Sequence, residues 1–96
     1  MKLQNIKINY LYRDASNYKQ FGYVVFTNNS GLGLNYIEKM LRGRLIDGEY
    51  FSALQWGFPE LFFHTSTADD HEWHEWWGIE FTDEKSNLDI EGLIGL

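Results

Sequence analysis

The 96-residue chain has no cysteine and a single proline, and each scarcity removes a class of answers. Without a thiol there is no disulfide framework, no thiolate zinc or iron–sulfur centre and no cysteine nucleophile, a composition that fits a reducing compartment. No run approaches the ~18 apolar residues of a membrane span. Residues 1–7 also lack the continuous apolar core of a secretory signal, so the chain is expected to be cytoplasmic, with no membrane association. Proline, glycine and serine never cluster into a linker, and there is no internal repeat or low-complexity segment. One domain covering residues 1–96 is expected.

Positive charge is scarce and unevenly placed. Residues 1–50 carry seven Lys/Arg against four Asp/Glu, whereas residues 51–96 carry one lysine against ten acids, so the formal charge of −6 splits as +3 and −9. Strands from the two halves lying side by side would partly neutralise each other. A dipolar molecule would instead repel nucleic acid and attract basic protein surfaces. Direct nucleic-acid binding is disfavoured either way, because it needs a clustered basic footprint. A subsidiary possibility is that the acidic side imitates a nucleic-acid backbone toward a basic enzyme.

Catalytic signatures are missing as well. Ser16, Ser30, Ser52, Ser66 and Ser86 stand in polar, turn-like contexts, and none lies in a Gly-x-Ser-x-Gly elbow. Ser30-Gly31-Leu32-Gly33-Leu34 precedes a helical pattern but lacks the lysine and spacing of a phosphate loop. No cofactor is expected.

What the chain has in quantity is aromatic surface: seven Phe, six Tyr and four Trp make up 18% of it, each bringing on the order of 150–250 Å² of largely apolar area. Ile6, Ile8, Tyr10 and Tyr12 alternate with Asn5, Lys7 and Asn9, the period of a half-buried strand. Turn formers from Arg13 to Asn17 then lead into a β-branched and aromatic run over residues 21–27, giving an antiparallel hairpin. Ile37, Met40, Leu41 and Leu45 share one helical face. Two caps compete for its start, Gly33 with a Leu32–Ile37 staple and Asn35 with Glu38 as a capping box, and Gly33 is preferred because it keeps Leu34 inside the helix; Arg42 and Arg44 occupy the last turn, and Asp47-Gly48 ends the element. Residues 50–56 read as a short helix or turn, and residues 61–64 as a third strand entered through Pro59. A fourth strand over residues 72–81 would turn Trp73, Glu75, Trp77, Ile79 and Phe81 inward and Glu72, His74, Trp76 and Glu80 outward. The tail from Leu88 to Leu96 is too apolar to be left free; it either docks on the domain or pairs with another copy. The expected architecture is α+β, a four-stranded antiparallel sheet with one main helix, in the order β-β-α-(short helix or loop)-β-β.

The densest chemistry lies in Asp69-Asp70-His71-Glu72-Trp73-His74-Glu75-Trp76-Trp77, which holds four acids, two of the three histidines and three of the four tryptophans. A metal-dependent hydrolase drawing on His64, Asp69, Asp70, His71 and His74 is one reading. The spacing opposes it, because His71 and His74 are three apart rather than the four of His-Glu-x-x-His, and on a strand such residues point to opposite faces. The preferred reading is a non-catalytic interaction domain in which Glu72, His74, Trp76 and Glu80 present an indole among anions to a basic protein, or to a second copy of the chain.

Tyr12-Arg13-Asp14, Asn17-Tyr18-Lys19, Phe26, the run from Leu45 to Phe51, Trp56-Gly57-Phe58-Pro59 and the run from His71 to Glu75 together resemble an uncharacterised family of small acidic bacterial proteins. The likeness extends to about residue 80. It implies a bacterial or phage origin and, since that family has no established activity, supplies no catalytic residues.

Overall fold

Alternation places Ile6, Ile8, Tyr10 and Tyr12 on one side of the first strand, and all four are buried, so that strand becomes the centre of the structure. The computed structural model describes residues 4–62 and 71–95. Its elements are β1 (Asn5–Arg13), β2 (Lys19–Phe26), α1 (Leu34–Arg42), β3 (Tyr50–Phe51), α2 (Ala53–Trp56), β4 (His74–Thr82) and α3 (Ile90–Ile94). They form the expected α+β fold around a four-stranded antiparallel sheet in the order β2-β1-β4-β3. The hairpin turn is fixed by Asp14, whose Oδ1 accepts the backbone N–H groups of Ser16 and Tyr18 at 3.0 and 2.9 Å, while Asn17 takes a left-handed φ of 71°.

Gly33 caps α1 in extended conformation with no side-chain hydrogen bond, as the Leu32–Ile37 pattern predicts. The helix stops earlier than expected, at Arg42. Glycine at position 43 is about 1 kcal/mol poorer than alanine in a helix interior. Beyond it, the N–H groups of Arg44 and Leu45 reach carbonyls only three residues back. Leu45 therefore reaches the core from a loop, Met40 stays exposed, and Arg44 leaves the helix to donate to the carbonyls of Leu93 and Ile94. Asp47 and Gly48, both at positive φ, make the following turn into β3.

The third strand is Tyr50–Phe51, paired with the start of β4, rather than one beginning at Leu61. Leu61 and Phe62 lie outside any strand, and residues 63 and 64 fall outside the described residues. Leu61 instead lies across the sheet against Gly22, where an added Cβ would come within 2.9 Å of its methyl group. Phe62 meets the Tyr12 ring edge-on at 4.9 Å. Their apolar area covers the face of the sheet rather than lengthening it.

Val24 and Phe26, Ile37 and Leu41, Phe51, Ala53 and Phe58, and Ile90 and Leu93 complete the core with β1, so all three helices pack on the same face of the sheet. The apolar tail docks on its own domain. Thr27 and Asp89 form a parallel bridge, the Thr27 N–H donates to Leu88 O at 2.6 Å and the Ile90 N–H to Thr27 O at 3.0 Å. Among the described residues no helix is long and apolar enough to cross a membrane.

Candidate functional site

The pairing between β1 and β4 changes register once. Ile8 faces Ile79 and Asn9 faces Gly78, but Tyr10 faces Trp76, so Trp77 has no partner on β1. It is the extra residue of a β-bulge, and a bulge inverts the inward–outward alternation of everything on one side of it. Beyond the bulge Ile79 and Phe81 share the core face with Ile8 and Ile6, as their spacing predicts. Before it, His74 and Trp76 turn inward with Tyr12 and Tyr10, and Glu75 turns outward with Leu11.

This corrects the expected surface. Trp76 is 8% exposed and His74 is fully buried, so neither is presented to a partner. Trp77, expected inside, is 63% exposed, and Trp73 is exposed as well; Phe81 keeps the core face but, near the end of β4, is only partly covered. Glu72 is exposed but precedes β4, and Glu80 is exposed on the outer face. Of the four residues expected to act together, only Glu80 shares a face with the exposed indole. The sequence carried one sign of the inversion: a glycine inside a strand pattern, here Gly78 directly after Trp77, often marks a bulge.

Trp77 does not stand alone on that face. Its ring meets Phe21 of β2 at 5.5 Å, nearly edge-on, across the intervening strand β1. Leu11 of that strand, cross-strand neighbour of both Phe21 and Glu75, is fully buried although no helix among the described residues covers it. Phe21 and Tyr23 are about half exposed beside it. The centre of the outer face is thus a small aromatic platform over an aliphatic floor.

Around this platform the charged groups are already paired. Arg13 grips Glu75 with both Nε and Nη2, at 2.8 and 3.3 Å, and donates through Nη1 to Asn17. The Lys7 ammonium sits 4.0 Å from the centre of the Tyr23 ring and 3.1 Å from Glu84, which also accepts the Tyr23 hydroxyl. Asn9 donates to Glu80 at 2.9 Å. Hydrogen bonding to Glu84 raises the pKa of Lys7, and the same bond lowers that of Glu84; hydrogen bonding to Glu75 raises that of Arg13. These pairs hold long side chains in fixed positions and so reduce the ordering that binding would otherwise require.

On the other face His74 is structural. Its Nε2 accepts the Leu61 N–H at 3.0 Å, which leaves Nδ1 to donate to Glu72 O at 3.2 Å. Both nitrogens are occupied by backbone, and the rings of Tyr10, Tyr12, Phe51 and Phe62 pack around the imidazole. Burial lowers its pKa below the ordinary 6.5. His71 is exposed, with Nδ1 accepting the Trp73 N–H. His64, Asp69 and Asp70, named with them as metal ligands, lie outside the described residues. Among the described residues no three His, Asp or Glu side chains converge on a metal position. Comparison with protein-family models, curated proteins and solved structures finds no match.

Proposed function

We propose that the protein is a non-catalytic binding module whose partner lands on the open face of the sheet, centred on Trp77 and Phe21. The observation that carries this reading is an indole 63% exposed yet held against a second ring, on a face that no helix among the described residues covers. Tryptophan and tyrosine dominate binding hot spots because they bring large area with few rotatable bonds. The partner is a protein with a basic surface: the net charge is −6, and Glu80 on that face and Asp83 just beyond β4 are both exposed. Trp77→Ser is expected to release that partner while the protein stays folded, with a melting temperature lowered by only a few degrees, and the complex should weaken as salt rises. Retention of the partner at full affinity by the Trp77→Ser protein sinks the reading.

A second copy of the chain is the other occupant with a specific observation in its favour. At the end of β2 the Val25 carbonyl and the Thr27 N–H turn outward, to Ser86 and Leu88. Alternation along an antiparallel pair turns the backbone groups of Phe21 and Tyr23 outward too. Those groups have no hydrogen-bond partner among the described residues, and the edge carries only Lys19 as a deterrent to pairing. Light scattering across a concentration series separates a dimer joined there from a monomer.

A further inference from the structure

On the helical side of the molecule, away from the aromatic platform, a cleft of about 310 Å³ opens between α2 and α3. Its apolar walls are Phe26, at the end of β2, Leu88, Leu93 of α3, and Trp56, the last residue of α2. The Trp56 indole packs against Phe51 at 4.6 Å and Phe58 at 5.8 Å, and is half-buried where it borders the cleft. Two glycines keep the space open: a Cβ built on Gly57 or on Gly92 would meet nothing within 4 Å.

The charge of the lining is one-sided. Asp89 is its single ionisable residue. One carboxylate oxygen caps α3 by accepting the Glu91 N–H at 3.1 Å. Among the described residues the other takes no hydrogen bond, and Asp89 belongs to no ion pair. An apolar slot walled by an indole, with an unpaired carboxylate at its mouth, matches a group that is flat, weakly hydrated and cationic. The guanidinium of arginine has those properties: it stacks on indole, and its N–H groups match a carboxylate. An ammonium is more strongly hydrated and does not stack.

We infer that this cleft receives an arginine side chain of a partner protein, with the guanidinium lying against Trp56 and hydrogen-bonded to the free oxygen of Asp89. This is a second contact surface, distinct from the open sheet face, and it does not depend on Trp77. A single anchored side chain gives a dissociation constant on the order of 1 mM, so the full partner would use the cleft for selectivity more than for strength.

The test is titration of the protein with the capped tripeptide Gly-Arg-Gly, followed through the indole N–H signal of Trp56, which is identified by its disappearance in Trp56→Phe. The same peptide with citrulline in place of arginine keeps the shape and removes the charge. A saturable shift with arginine, weakened about tenfold or more with citrulline, is expected. Asp89→Asn keeps a good N-cap residue and removes only the anion, and should weaken binding to the same degree. Gly92→Leu fills the cleft at a position that is sterically free and replaces a poor helix former, so it should abolish the shift without lowering the melting temperature. Equal binding of the citrulline peptide, undiminished binding by folded Asp89→Asn or Gly92→Leu, or no saturable shift in the unmodified protein would each overturn the assignment.

Discussion

Mild acid should loosen this fold through His74. The side chain is fully buried, accepts the Leu61 N–H at Nε2 and donates from Nδ1 to Glu72 O, so a second ring proton would point N–H at N–H. Burial is the largest influence and lowers the pKa below 6.5; His71 acts in the same direction, while the Glu72 carbonyl and Glu60 oppose it. Nearby Tyr10 and Tyr12 spend their hydroxyl protons on the carbonyls of Pro59 and His71. The sign follows from proton counts: below about pH 6.5 the unfolded chain protonates this histidine and the folded chain does not. Stability is therefore fully present above that pH. It falls as pH drops toward the folded pKa, by up to about 1.4 kcal/mol per pH unit. For a domain whose total stability is on the order of 5–10 kcal/mol, one or two pH units matter. Urea denaturation at pH 7.5, 6.5 and 5.5 measures the slope, with His74→Gln as the comparison. The variant should be less stable at pH 7.5 but lose less on acidification. Parallel loss in both proteins would refute the reasoning, because the titrating group would then lie elsewhere.

Trp76→Ser should cost about 3–5 kcal/mol and Trp77→Ser only about 1, the loss of its edge contact with Phe21, a contrast between adjacent residues that paired thermal melts will show. Ile90→Ala, in the docked tail, is expected to cost about 2–4 kcal/mol in denaturant melts, since it empties a fully buried site. Gly57 holds φ at 75° as the C-cap of α2, so Gly57→Ala should destabilise by roughly 1 kcal/mol although its Cβ meets nothing. Burial pushes the Tyr10 hydroxyl up to about 12. Its contribution is therefore complete below pH 10 and lost as pH rises toward 12, and alkaline denaturation of Tyr10→Phe should be correspondingly less steep.

The strands and the helix that bury one face against the core were legible because each carries its own period. Ile6, Ile8, Tyr10 and Tyr12 name the inner face of β1, Ile37 and Leu41 that of α1, and Gly33 marks where α1 begins. Short elements were not legible. Tyr50–Phe51 is a strand only because the start of β4 pairs with it, and no two-residue segment has a period to read. The exposed aromatic surface is half legible: the run from Asp69 to Trp77 stands out in the sequence, but alternation points to Trp76 as its exposed indole where the structure exposes Trp77.

Composition and periodicity alone determined an α+β class, a cysteine-free aromatic core and an acidic second half, because these depend on residue types and on spacing within one segment. Which tryptophan faces outward depends on the register between two segments more than sixty residues apart. One unpaired residue at Trp77 inverts that register for His74, Glu75 and Trp76. Alternation within β4 is equally satisfied by either facing, so only pairing with β1 decided it.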